Sequence, residues 1–196
     1  SYIFWKNHKI GFFIQTIKEG TAVVIMSSLF GSINGYFLSG MASRFQEHAG
    51  LVILYPALTN ALGNIGSIVG STKTTTLALG YVKSFDEELK SAVSNILKVE
   101  AVAIVMHLVF ALVTYLLSSY WSLGADLVFL ISVSLFTNLS TFLLIGFFAL
   151  IIAYISFTRG LNPDNVVIPF ITTTSDSVAT LAITPVIRIL NFLGLI

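Results

Sequence analysis

Five long stretches of the chain are apolar and nearly free of Asp, Glu, Lys and Arg. About 20 apolar residues are enough for a helix to cross the hydrocarbon core of a bilayer. The pattern therefore predicts an all-α integral membrane protein, a bundle of five transmembrane helices. The predicted spans cover residues 20–43, 49–72, 101–122, 128–157 and 165–188.

Two further segments have an amphipathic composition. Residues 1–18 mix aromatic and basic side chains, which is typical of an interfacial helix on the membrane surface; an ordered lead-in to the first span is the alternative. Within residues 81–98, between spans two and three, Phe85, Leu89 and Val93 recur at helical spacing among charged residues. We expect a second amphipathic helix there, either as a solvated connector or as a gating element.

Composition supports the membrane assignment. The chain is 56% hydrophobic and 10% charged, with a mean hydropathy of +0.92, whereas ordinary globular domains carry about 25% charged residues. We expect a single transmembrane domain over residues 1–196. A net charge of +1 and the lack of a basic cluster give no reason to expect a nucleic-acid partner, and the absence of cysteine excludes disulfides and thiolate metal sites.

The distribution of Lys and Arg predicts the orientation. If the N-terminus is cytoplasmic, eight of the ten basic residues fall on the inner side and only Arg44 and Arg188 lie outside. The positive-inside rule then favours a cytoplasmic N-terminus and an external C-terminus, most simply in the plasma membrane. Because five helices in one small chain do not easily enclose a pore, we expect a two-fold homodimer.

Asp176 is the candidate centre of the chemistry, because it lies in the middle of the fifth span. An ionised Asp at bilayer depth costs a few kcal/mol or more unless a cation compensates it. Helical spacing puts oxygen-bearing residues on the same side, and Pro169 removes a backbone donor there. This predicted face consists of Pro169, Thr172, Thr173, Asp176 and Thr180.

The second span carries a matching polar stripe. Its members follow i, i+4, i+7 and i+11 spacing and are Asn60, Asn64, Ser67 and Ser71. Gly63, Gly66 and Gly70 on the same helix allow another backbone to approach closely, and small polar residues can also serve as ordinary packing contacts. From the helical rise, Asn64 and Asp176 lie at comparable depths in the membrane. We therefore expect the second and fifth spans to form two walls of an ion pathway.

The two spans together carry a family resemblance. The second contains Pro56-Ala57-Leu58 followed by Gly63-Asn64-Ile65-Gly66-Ser67, and the last contains Asp164 followed by Pro169-Phe170-Ile171-Thr172-Thr173-Thr174-Ser175-Asp176. This pair of motifs resembles the membrane domain of the MgtE magnesium transporters and of the related solute carrier family 41. The resemblance covers the chain from about Glu19 onward.

The resemblance implies a homodimer whose second and fifth helices surround a central cation path, with Asp176 of each subunit setting the principal site. It also implies that Gly63, Asn64, Ser67 and the backbone at Thr172 line this site, with Ser71 nearer the cytoplasmic mouth. Ser67 stands where the bacterial motif often has an amide residue. The complete set of candidate metal ligands is Asp176, Asn64, Gly63, Ser67, Thr172 and Thr173, and the candidate pore-lining residues are Asn60, Ser71, Pro169 and Thr180.

The function expected is transport of divalent cations, foremost Mg²⁺ as the transported ion, and not enzymatic catalysis. Magnesium dehydrates reluctantly and suits a site that holds it partly through water, but Ca²⁺ would use the same oxygen ligands. A Na⁺- or H⁺-coupled Mg²⁺ exchanger is the alternative within transport. An intramembrane aspartyl protease would need two aspartates at bilayer depth in its active site, whereas this chain has one, Asp176. A purely structural membrane protein would leave Asp176 unexplained.

Other polar residues in the spans have simpler interpretations. His107 and Asn34 favour hydrogen-bonded or packing roles, as does the polar patch from Ser132 to Thr141 in the fourth span. Glu19 and Glu100 adjoin the predicted ends of spans, so we place them at the membrane interface.

Overall fold

The computed structural model describes the backbone of residues 2–81 and 85–196, and the side chains of these residues except 2–9, 85–89 and 163–164. The described chain is helical and contains no strand. Five of its helices are long and apolar enough to cross a membrane, which confirms the all-α five-helix prediction. The helices are α1 (Tyr2–Ser39), α2 (Ala42–Glu47), α3 (Ala49–Ala78), α4 (Phe85–Tyr120), α5 (Leu127–Thr158) and α6 (Pro163–Phe192).

The two predicted amphipathic segments are continuous with the spans that follow them. Helix α1 runs for 38 residues and α4 for 36 residues, so neither segment forms a separate helix in the described chain. An amphipathic composition does not by itself interrupt a helix, so a surface segment and a span can form one continuous helix. The location of these segments at the membrane surface remains a prediction, and residues 1 and 82–84 of the predicted segments lie outside the described residues.

The connections follow recognisable local signals. Helix α1 ends at Ser39, whereas the first predicted span extended to residue 43. A short turn after Ser39 leads into α2. Asp126 caps α5, since its carboxylate accepts a hydrogen bond from the Val128 amide at 3.0 Å. Gly160 adopts a φ of 63° just after α5, in the left-handed region where glycine commonly ends a helix. The sequence also suggests Asp164 as a possible cap of α6, but its side chain lies outside the described set.

Helix α3 is the centre of the bundle. It packs against α4, α5 and α6, while α1 packs on α6. Its leucines Leu51, Leu54, Leu58 and Leu62 are fully buried at helical spacing. Helices α3 and α5 run parallel: a Cβ atom at Gly50 would contact Leu130, and one at Gly66 would contact Ile145. At Gly66 and Gly70 the glycine face of α3 meets both α5 and α6.

Candidate functional site

Helices α3 and α6 pack antiparallel over about 15 residues. At one end the hydroxyl oxygens of Tyr55 and Thr180 lie 2.7 Å apart. Further along α3, a Cβ atom at Gly63 would lie 3.4–3.6 Å from atoms of Thr172. Further still, a Cβ atom at Gly70 would lie 2.8 Å from Val167. The small residues of α3 thus allow the close approach that the sequence predicted. The structure brings the predicted site residues Gly63 and Thr172 together.

This register places Asp176 one helical turn beyond Thr172, level with Asn60 and about 6 Å along the axis from the level of Asn64. The Asp176 side chain is half-buried. Among the described residues, its carboxylate has no hydrogen-bond donor and no cationic side chain as a partner. A carboxylate in this position presents an uncompensated charge to the interior of an apolar span.

The threonines around Asp176 bond to the α6 backbone. The hydroxyls of Thr172 and Thr173 both donate to the carbonyl of Pro169, at 3.0 and 2.9 Å, and Thr180 donates to the carbonyl of Asp176 at 2.7 Å. Because each hydrogen goes to the helix, the hydroxyl lone pairs remain available as acceptors. Thr172 and Thr173 are partly exposed, whereas Thr180 is buried against Tyr55. The face between Pro169 and Asp176 is accordingly a surface of oxygen acceptors.

The polar stripe of α3 faces away from the core of the single chain. Asn60 and Asn64 are exposed, and Ser67 and Ser71 are partly exposed. The Ser71 hydroxyl donates to the Ile68 carbonyl at 3.2 Å, whereas the Ser67 oxygen is buried without a partner in the described structure. Exposed amides at membrane depth require either water or a protein partner.

Two cavities border these residues on opposite sides. A cavity of about 400 Å³ lies between α1 and α6, and its polar lining is Ser27, Ser28, Asn165, Thr172 and Thr173, next to Pro169. A second cavity of about 370 Å³ lies between α3 and α4 and contains Asn64 beside Lys98 and Met106. Within one chain, therefore, Thr172 and Thr173 open toward α1 while Asn64 opens toward α4. The predicted ligands Asn64 and Thr172 face different cavities of the same subunit.

Two carboxylates that sequence reasoning placed at the interface are buried. Glu19 is 8% exposed and accepts hydrogen bonds from Gln15 at 2.7 Å, from the Asn162 amide at 3.2 Å and from the Asn165 side chain at 3.2 Å. Glu100 is 4% exposed and accepts one from Asn138 at 2.6 Å. The sequence did contain a signal for the burial of Glu100, since Glu100 shares a helix face with Ile96 at i−4 and His107 at i+7.

Among the remaining polar residues, His107 and Asn34 each have a hydrogen-bond partner. His107 is fully buried, with Nδ1 2.7 Å from the Ala103 carbonyl, and Asn34 donates to the Tyr55 hydroxyl at 3.4 Å. Both bonds agree with the hydrogen-bonded roles expected for these residues. The fourth-span patch is buried at Ser134, Thr137, Asn138 and Thr141, where α5 packs against its neighbours.

The fold is that of an integral membrane protein with several spanning helices, and one of them carries Asp176, a carboxylate without a partner among the described residues. Residues 55–184 match the family model of the MgtE divalent cation transporters, about two thirds of the chain and all of the candidate site residues. The chain therefore belongs to the MgtE family of divalent cation transporters, which confirms the resemblance; this is a family of transporters and not a class of enzymes. Comparisons with curated proteins and with solved structures find no match.

Proposed function

We propose that this protein transports Mg²⁺ across the membrane through a path between two copies of the chain, with the ion held by Asp176 of each copy. The observation that carries the proposal is the Asp176 carboxylate, half-buried in the middle of α6 without a partner among the described residues. Two such carboxylates near a two-fold axis repel each other, and a divalent cation between them reverses that balance.

The incomplete site in one chain supports the dimer. Within the described residues, no three His, Cys, Asp or Glu side chains come together, and α3 contains no Asp or Glu, so Asp176 is the carboxylate that a single copy supplies to the middle of the path. The exposed amides of Asn60 and Asn64 form a polar surface that lipid does not satisfy. A second copy facing this surface would cover it and add the second Asp176.

The proposed ligand set combines a few protein oxygens with water. Mg²⁺ usually keeps several of its waters, so Asp176 and the acceptors at Thr172 and Thr173 would hold a hydrated ion. Gly63 leaves space beside Thr172, and Asn64 and Ser67 would approach the ion from the stripe of α3. Asn60, Ser71, Pro169 and Thr180 would line the path; of these, Thr180 acts mainly through the Tyr55 contact.

The decisive experiment is Mg²⁺ flux into proteoliposomes. Asp176→Asn keeps the size of the side chain and removes its charge, so we expect flux to be lost while the dimer persists. Glu47→Gln is the matched control, because it removes an exposed carboxylate that pairs only with Arg44 on α2; its flux should equal that of the wild type. Wild-type flux in Asp176→Asn would overturn the proposal.

The same assay separates a uniport path from coupled exchange. Uptake driven by membrane potential alone, unchanged when the Na⁺ or pH gradient is removed, identifies a channel-like path. Ser67→Ala should alter affinity or selectivity among Mg²⁺, Ca²⁺ and Mn²⁺ without abolishing flux. Complete loss in this variant would make Ser67 a principal ligand.

We further propose a plasma-membrane orientation with a cytoplasmic N-terminus and an external C-terminus, on the distribution of Lys and Arg. The chain has no cysteine, so single cysteines report the side of each loop cleanly. Ser122→Cys, between α4 and α5, should react with a membrane-impermeant thiol reagent in intact cells. Thr158→Cys, at the end of α5, should react only after the membrane is opened; the reverse pattern would contradict this orientation.

A further inference from the structure

Glu100 of α4 and Asn138 of α5 form a buried pair outside the proposed cation path. Glu100 is 4% exposed and Asn138 fully buried, and the Asn138 amide donates to Glu100 Oε1 at 2.6 Å. The second oxygen of each side chain, Glu100 Oε2 and Asn138 Oδ1, is buried without a hydrogen-bond partner in the described structure. The pair is therefore half-satisfied: one hydrogen bond is made and two acceptors remain.

The surroundings supply no compensating charge. Helix α5 has no Asp, Glu, His, Lys or Arg between Leu127 and Thr158, and the titratable side chains of α3 are Tyr55 and Lys73. On α4, Lys98 lines the cavity on the Asn64 side, and His107, two turns along, uses Nδ1 at the Ala103 carbonyl. An ionised carboxylate here would have one neutral amide donor as its only described partner, which is far short of what a buried charge requires.

A single proton compensates the buried charge and also gives the two free acceptor oxygens a hydrogen bond. Bound to Glu100 Oε2, it removes the negative charge and creates an O–H group that can donate to Asn138 Oδ1. The carboxylic acid and the amide then exchange two hydrogen bonds in a closed ring, and no acceptor of the pair is left over. No other change of protonation state satisfies both oxygens.

We propose that Glu100 and Asn138 form a proton-binding site that holds α4 against α5. The parallel register of α3 and α5 and the antiparallel register of α3 and α6 place Asn138 level with Thr59 and Ser177, close to the depth of Asp176. Protonation of Glu100 completes the hydrogen bonding between α4 and α5 at this depth. Loss of the proton leaves a negative charge on Glu100 that the same packing of the two helices does not compensate. The inference stands on this contact alone and does not depend on the identity of the transported ion.

Infrared difference spectroscopy of the protein in liposomes tests the proposal directly. At neutral pH the wild type should show the C=O stretching band of a protonated carboxylic acid, shifted in D₂O. Glu100→Gln should lose this band, because the side-chain amide keeps the two-bond ring without an exchangeable acid, whereas Asp176→Asn should retain it. An unchanged band in Glu100→Gln, or none in the wild type, would overturn the proposal.

A second variant tests the pairing without altering the acid. Asn138→Ala removes the donor to Oε1, so the acid band should move to higher frequency, as a carbonyl released from a hydrogen bond does. A band at the wild-type position would show that Asn138 is not the partner. On thermal unfolding, wild-type stability should fall as the pH is raised, and Glu100→Gln should show no such loss; equal pH dependence in the two proteins would contradict the site.

Discussion

Gly66 in α3 lies so close to Ile171 in α6 that a Cβ atom at position 66 would collide with the Ile171 side chain, and the same atom would lie 2.8 Å from Ile145 in α5. Both neighbours are branched at Cβ and have little freedom to rotate away. At Gly66, therefore, three membrane helices pack closely enough that no side chain fits between them.

Gly66→Ala should lower the free energy of unfolding by about 1–3 kcal/mol, the usual cost of overpacking a tight core. Gly63→Ala is the matched control three residues earlier, because its new methyl group would meet Thr172 at an ordinary 3.4 Å. There the helix-propensity gain of up to about 1 kcal/mol should dominate. Thermal unfolding in detergent measures both variants. Equal effects would mean that the helices adjust freely at position 66.

Tyr55 and Thr180 should be energetically coupled. Their hydroxyls are 2.7 Å apart, and Thr180 in turn donates to the Asp176 carbonyl. In a double-mutant cycle with Tyr55→Phe and Thr180→Val, we expect a coupling energy of about 0.6 kcal/mol and at most about 1.7 kcal/mol, the average and the maximum for hydrogen bonds between membrane helices. Additive effects would show that the bond contributes nothing to the contact of α3 with α6.

The helices were predictable because their signal is a property of composition along the chain. A charge-free apolar stretch has to form a helix in a bilayer, since only a helix satisfies its backbone within one segment. The spacing of Gly63, Gly66 and Gly70 likewise predicted a close helix contact, and the contact with α6 is present.

The positions of individual polar side chains relative to neighbouring helices were much less predictable. Glu19 and Glu100 adjoin the ends of charge-free stretches, but both are buried by other parts of the chain, Glu19 by the α5–α6 connection and Glu100 by α5. Asn64 belongs to the predicted stripe, but the cavity it opens into is decided by how α4 packs on α3. Such contacts depend on how two helices pack against each other, and the periodicity of one helix does not identify its neighbour.

Glu19→Ala should loosen the connection of α1 to the start of α6. The carboxylate accepts three hydrogen bonds, two of them from Asn162 and Asn165 across the bundle. Removing it takes away their common acceptor, at an expected cost of about 1–3 kcal/mol. Hydrogen exchange at Asn162 should accelerate. Ser32→Ala, which removes an exposed bond within α1, is the control and should leave that exchange rate unchanged.

Mg²⁺ should protect the wild-type protein against thermal unfolding, because a ligand that binds the folded state stabilises it by mass action. At 100 times the dissociation constant the gain is about 2.7 kcal/mol. Asp176→Asn should lose most of this protection, since the proposed site then has no carboxylate in either copy. Glu47→Gln, which changes only an exposed ion pair, should keep it. Comparing Mg²⁺, Ca²⁺, Mn²⁺ and Na⁺ at equal ionic strength separates binding at the site from general salt effects. Protection by Mg²⁺ that survives Asp176→Asn would locate the ion elsewhere in the bundle.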